Sequence, residues 1–233
     1  MEPDCMNPTR HCTGCQVKSP LFCFLTDEEL LLVEKNRLTV EFRQGETIRK
    51  QGTSMTHVIS LNAGYAKLYL EGVRKTSSIL QIVKPTNFIG GPGLYLDQIH
   101  HVTVSALTDT TVRFIGLPVF KTIIDENKAF RDAFLAEISR NILAGYNRLL
   151  FLVQKQMPGR MADTLLYLFD EVYKSENIPL HLTKQDLAEL SGMSKEGAIK
   201  VIREFQNEEI ISLSDRVMSL HNRNKLLQIS KVG

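Results

Sequence analysis

Apolar residues recur along this chain with different spacings in successive stretches, and each spacing predicts a different architecture. Between Leu38 and Pro118 they fall in short β-rich runs broken by turn signals: 38–42, the Gly45 turn, 58–61, Asn62-Ala63-Gly64, 65–70, Glu71-Gly72, 77–83, 102–106 and 111–117. Short strands at this spacing predict an antiparallel roll or barrel. Ahead of them, Thr26-Asp27-Glu28-Glu29 has the spacing of a capping box and opens a short helix through Leu30, Leu31 and Val33.

From about residue 127 to 156 the spacing becomes helical, with Phe130, Phe134, Ile138, Ile142, Leu149 and Val153 on one stripe. Such a helix runs about 45 Å at about 1.5 Å per residue, more than a small β domain needs for its own cover. The surplus apolar stripe predicts a parallel partner from a second copy, a plain core helix being the alternative. Gly145 on the stripe fits a close helix approach. Met157-Pro158-Gly159 then breaks the pattern and predicts a hinge near Pro158, followed by a helix over about 160–173.

The stretch 182–203 carries the most specific local signals. Thr183 and Ser194 each stand where a side-chain oxygen caps a helix start, and Asp186 sits three residues after the first cap. Ala188 is small enough for close helix contact, and Gly192 falls at the turn between the two helices. In the second helix Ala198, Val201, Ile202 and Phe205 form an apolar stripe, while Glu196, Lys200 and Arg203 recur opposite it. This pattern predicts a helix-turn-helix that reads double-stranded DNA. Lys195, Glu196 and Lys200 are candidates for base edges, where Lys donates to guanine and Glu accepts from cytosine, and Arg203 is a further candidate DNA contact. Thr183, Lys184, Gln185 and Ser194 lie near helix N-termini and are candidates for phosphate. The runs 210–213 and 217–220, joined by Ser214-Asp215-Arg216, predict the hairpin of a winged variant. A surface helical hairpin with a solvated charged face is the plainer alternative. Eight Lys or Arg against seven Asp or Glu after Leu182 give no basic excess to exclude it.

Composition narrows these expectations. With 233 residues and a net charge of +2, two modest domains are expected, and affinity for nucleic acid must come from a local surface. No window approaches the roughly 20 apolar residues of a membrane span and no signal peptide is visible, so a cytoplasmic protein is expected. An enzyme finds little support: there is no Walker phosphate loop, no H-E-x-x-H zinc helix and no Ser-His-Asp spacing.

A β-roll, a long helix, a hinge and a winged helix-turn-helix, in that order, resemble the Crp/Fnr superfamily of bacterial transcription regulators. The run 182–202 with Ile210-Ile211-Ser212 carries most of the resemblance. Phe42-Arg43-Gln44-Gly45-Glu46-Thr47-Ile48 leading to Gln51-Gly52, and Gly64, look like the family's roll turns. The resemblance implies an α+β chain: a cysteine-bearing tail (1–25), an antiparallel β-roll, that is a double-stranded β-helix or jelly roll, as effector sensor (26–126), a long dimerisation helix (127–157) and a winged helix-turn-helix DNA reader (158–233). It further implies a homodimer on a palindromic operator, with RNA polymerase as a further partner.

Family members that bind cyclic AMP carry a glycine and a glutamate followed by an arginine and a serine. Here Phe88-Ile89-Gly90-Gly91-Pro92-Gly93-Leu94 has Gly91 where the acid is expected, and His101-Val102 replace Arg-Ser. Histidine is largely neutral at pH 7 and valine donates nothing, so tight cyclic AMP binding is not expected. Gly90, Gly91, Gly93 and His101 remain candidates for another effector, or are simple corners. His100 and His101, as neighbours on a strand, would face opposite sides and not share a metal.

All four cysteines, Cys5, Cys12, Cys15 and Cys23, lie in the first tenth of the chain. His11-Cys12-Thr13-Gly14-Cys15 with Cys23 resembles the oxygen-sensing motif of the fumarate and nitrate regulator branch, which implies an iron–sulfur cluster or zinc. That branch has its fourth cysteine inside the roll, and here none follows Cys23. Free tail thiols, with Cys23 packing as a small hydrophobe, are the alternative. The competing functional class is therefore an iron–sulfur or zinc redox protein whose C-terminal domain mediates protein interaction.

Overall fold

Thr26 and Glu29 satisfy each other's backbone at the start of the first helix. The Glu29 N–H donates to Thr26 Oγ1 at 3.2 Å, and the Thr26 N–H donates to Glu29 Oε2 at 2.7 Å. This helix, α1 (Asp27–Lys35), follows a 3₁₀ turn over Pro20–Phe24. The computed structural model describes residues 20–73, 76–85 and 87–233.

Eight strands follow: β1 (Arg37–Phe42), β2 (Thr47–Arg49), β3 (His57–Ala63), β4 (Ala66–Glu71), β5 (Ser77–Val83), β6 (Phe88–Ile89), β7 (Thr103–Ala106) and β8 (Thr110–Gly116). They form two four-stranded sheets with orders β1-β8-β3-β6 and β2-β7-β4-β5. β8 pairs antiparallel with β1 (Val40 opposite Val112) and with β3 (Ile59 opposite Phe114). Neighbours far apart in sequence are thus paired, as in a roll rather than a meander. The expected strand runs reappear with ends moved by one or two residues.

The run 111–117 does not end in a loop. Pro118 supplies a pre-set φ in the first turn of α2 (Leu117–Glu126), whose Leu117, Phe120, Ile123 and Ile124 are buried. Asn127 then caps α3 (Lys128–Gln154): its Oδ1 accepts from the Phe130 N–H at 2.9 Å, and its Nδ2 donates to Glu29 Oε2 at 2.8 Å. Phe88, Phe120, Phe130 and Phe134 meet edge-to-face or stacked, with Phe88 and Phe120 centroids 5.0 Å apart.

The described chain divides into two compact units. One comprises the described residues up to Lys67 with Val83–Ile142; the other comprises Leu68–Ile82 with Leu143–Gly233. In the second unit α3 stops at Gln154 and α4 (Met157–Leu166) begins with Pro158 in its first turn. Its last turn widens into a π-helical segment, Tyr167–Val172. β9 (Asn177–Pro179), α5 (Lys184–Ser191), α6 (Lys195–Asn207), β10 (Ile211–Ser214), β11 (Val217–Leu220) and α7 (Arg223–Val232) follow. The wing sheet has the order β10-β11-β9. Its turn places Asp215 (φ 47) and Arg216 (φ 65) both in the left-handed region, and the Arg216 carbonyl accepts from the Leu180 N–H at 2.7 Å. β2, β6, β9, α2 and α7 are not among the elements that the residue pattern predicts.

Candidate nucleic-acid interface

The two-helix geometry is fixed by local chemistry. Thr183 Oγ1 accepts from the Asp186 N–H at 3.1 Å, and the Asp186 carboxylate accepts from the Thr183 N–H at 2.9 Å. Gly192 ends α5 at φ +62, where a Cβ would also overlap the Leu152 side chain. Ser194 restarts the chain as a helix, its Oγ accepting from the Gly197 N–H at 3.1 Å. Beneath the turn, the Arg160 guanidinium donates to the Gly192 carbonyl at 2.6 Å and Arg148 donates to that of Glu189 at 3.4 Å. Burial, then the nearby Arg160 charge, holds the Arg148 pKa below the usual guanidinium value.

α6 has two unlike faces. Ala198, Val201, Ile202 and Phe205 are buried, the first completely. Opposite them Glu196, Lys200 and Arg203 are exposed, as is Lys195 in the first turn of the helix. Glu196, Ile199, Lys200, Arg203, Glu204 and Asn207 line one shallow depression of about 400 Å³. Lys200 Nζ lies 4.0 Å from Glu204 Oε1, a solvent-screened pair that holds neither side chain strongly. Ser194 and Thr183 are exposed at the two capped helix starts, with Lys184 and Gln185 beside Thr183. Gln185 Nε2 also donates to Glu189 Oε1 at 3.0 Å. All eight residues expected from the sequence as DNA contacts thus lie on α5, α6 or their caps. Ile199 and Asn207, which also line this depression, are not among the residues expected from the sequence.

Crp-like helix-turn-helix domains match residues 159–229, and cyclic nucleotide-binding domains match residues 39–127. The chain belongs to the Crp/Fnr superfamily of transcription regulators. It is 20% identical over 232 residues to the fumarate and nitrate reduction regulatory protein of Vibrio cholerae, covering 96% of this chain and 91% of that one. It is 22% identical to the CRP-like cAMP-activated global transcriptional regulator of Mycobacterium tuberculosis, covering 90% and 95%. The fold is shared with FixK2 from Bradyrhizobium japonicum at a TM-score of 0.77 and 17% identity, covering 84% of this chain and 98% of that structure. As a Crp/Fnr protein this chain carries a DNA-binding helix-turn-helix domain, and no described helix is long and apolar enough to cross a membrane.

The effector candidates Gly90, Gly91, Gly93 and His101 lie around the 3₁₀ turn Pro92–Leu94 and the loop that follows it. Gly93 stays a glycine for packing, because a Cβ there would run into the Ile99 carbonyl. Gly90 lies against the Phe134 ring, where a Cβ would come within 3.4 Å, and Gly91 sits at φ +64 ahead of a 3₁₀ turn. The strand expected from 102 begins at Thr103, so His100 and His101 lie in the preceding loop and not on a strand. His101 Nε2 is bound to Asp97 Oδ1 at 3.1 Å. His100 is buried, and its Nε2 has no hydrogen-bond partner among the described residues. Burial and the Arg49 charge hold the pKa values of His57 and His100 below the ordinary imidazole range.

Of the candidate metal ligands, Cys5, Cys12 and Cys15 lie outside the described residues. Cys23 is half-buried on the 3₁₀ turn before α1. Among the described residues no three His, Cys, Asp or Glu side chains gather as a metal site.

Proposed function

We propose that this Crp/Fnr regulator works as a homodimer that reads a palindromic operator with α6 of each copy in the major groove. The exposed row of Glu196, Lys200 and Arg203, opposite a buried stripe and preceded by the exposed Lys195 in the first turn, carries this reading. Lys195, Glu196 and Lys200 address base edges. Thr183, Lys184, Gln185 and Ser194 hold phosphates at the capped helix starts. The second half of α3 supports the dimer: Leu149 is 63% and Val153 77% exposed, and an added Cβ at Gly145 would meet nothing within 4 Å. A second copy would cover this face, setting half-sites about 34–36 Å apart. Selection of duplexes from a randomised pool by the full-length protein tests the reading. A palindrome whose affinity falls steeply with salt supports it, and recovery of no preferred sequence overturns it.

The effector is not a cyclic nucleotide held in the usual way. The Asp97-bound His101 and apolar Val102 do not fit a phosphate that elsewhere meets an arginine and a serine. Calorimetric titration with cyclic AMP is expected to show no micromolar binding. The cysteine-rich start is the alternative sensor, with an iron–sulfur cluster or zinc as its group. Iron, sulfide and zinc analysis of protein purified without oxygen tests it, with Cys12→Ser expected to empty the site.

A further inference from the structure

Ile199 stands among polar neighbours on the reading face of α6, bordered by Glu196 three residues before it and by Lys200 and Arg203 after it. It lies off the buried stripe, which Ala198, Val201, Ile202 and Phe205 complete without it. A β-branched residue at a half-exposed helical position lowers helix propensity, so helix formation does not account for it. The domain's own core therefore explains its neighbours at 198 and 202 but not Ile199. An aliphatic side chain can neither donate to nor accept from a base edge. Of the groups on the major-groove edges of the four base pairs, only the thymine C5-methyl is apolar.

Resting on the proposal that α6 enters the major groove, we infer that Ile199 is a specificity-determining residue that packs against a thymine methyl, selecting T·A over C·G at one position of each half-site. That position adjoins the pair addressed by Lys200. Lys and Glu fix hydrogen-bonding bases, and Ile199 adds a methyl-sensitive base beside them.

The probe is the tightest duplex recovered by the full-length protein from a randomised pool. Each thymine in its half-site is replaced in turn by deoxyuridine, which removes one methyl and changes no hydrogen bond. Wild-type protein is expected to lose about fourfold in affinity per half-site at one such position, the worth of one buried methyl. Ile199→Ala is expected to bind the thymine and uracil duplexes equally at that position, while Ile199→Val keeps part of the preference. Each protein is compared with itself on two duplexes, so a change in folded fraction cancels. Equal methyl sensitivity in wild type and Ile199→Ala, or none in wild type, overturns the assignment even where Lys200→Ala still relaxes specificity. A duplex insensitive to Lys200→Ala and to every other α6 substitution overturns the reading-helix proposal, and this inference with it.

Discussion

The Tyr167 hydroxyl makes two hydrogen bonds to the backbone of Ile82: it accepts from the N–H at 3.0 Å and is 3.4 Å from the carbonyl oxygen. Ile82 lies on β5, the last strand in its sheet order, so its outward backbone groups have no further strand to pair with. Tyr167 meets that need from the π-helical end of α4. Burial pushes its pKa up from the usual tyrosine value to about 12.

The folded state therefore holds the phenolic proton more tightly than the unfolded chain does. Stability present below about pH 10 should be lost as pH rises toward about 12, by roughly 2 kcal/mol from this group. Urea titrations at pH 8 and pH 11 are expected to show a smaller alkaline loss for Tyr167→Phe than for wild type. Equal losses would remove Tyr167 from the account.

Burial and Arg49 act on His100 in the opposite direction. Its pKa is lower in the folded state, so protonation favours unfolding. Stability present above the ordinary imidazole pKa should fall as pH drops through the folded value. His100→Gln is expected to flatten this acid limb, read by thermal melts between pH 7 and pH 5.

At the reading face, Lys200→Ala should cost about 1–3 kcal/mol on the selected site and relax preference at one base pair. Lys184→Ala should instead weaken all sequences alike and lower the salt slope by about 1. Fluorescence anisotropy across a salt series separates the two. The same behaviour from both variants would reassign Lys200 to the backbone.

Leu149→Glu puts a charge on a side chain that is 63% exposed within the chain. The proposed dimer predicts a shift toward monomer in analytical ultracentrifugation with an unchanged far-ultraviolet spectrum. Unaltered sedimentation would place the interface elsewhere.

The helix-turn-helix was legible because its signals are local: Thr183, Asp186, Gly192 and Ser194 each act within a few residues of themselves. α2 was hidden because its apolar positions run on from β8 without a polar break, Pro118 alone marking the start. β9 has only three residues, one of them Pro179, and becomes a strand through its pairing with β11. The loop carrying His100 and His101 follows from the close approach of Gly93 to Ile99, a contact no periodicity reports. Ile199 escaped notice for a related reason. An isoleucine in a helix suggests interior, and its place among Glu196, Lys200 and Arg203 emerges only once the buried stripe is known.

The wing turn holds two non-glycine residues in backbone conformations that glycine and asparagine adopt most readily, at roughly 1 kcal/mol for Arg216. A laboratory screen for heat resistance alone would thus favour Arg216→Gly, and the guanidinium at the tip of the hairpin would be among the first features erased.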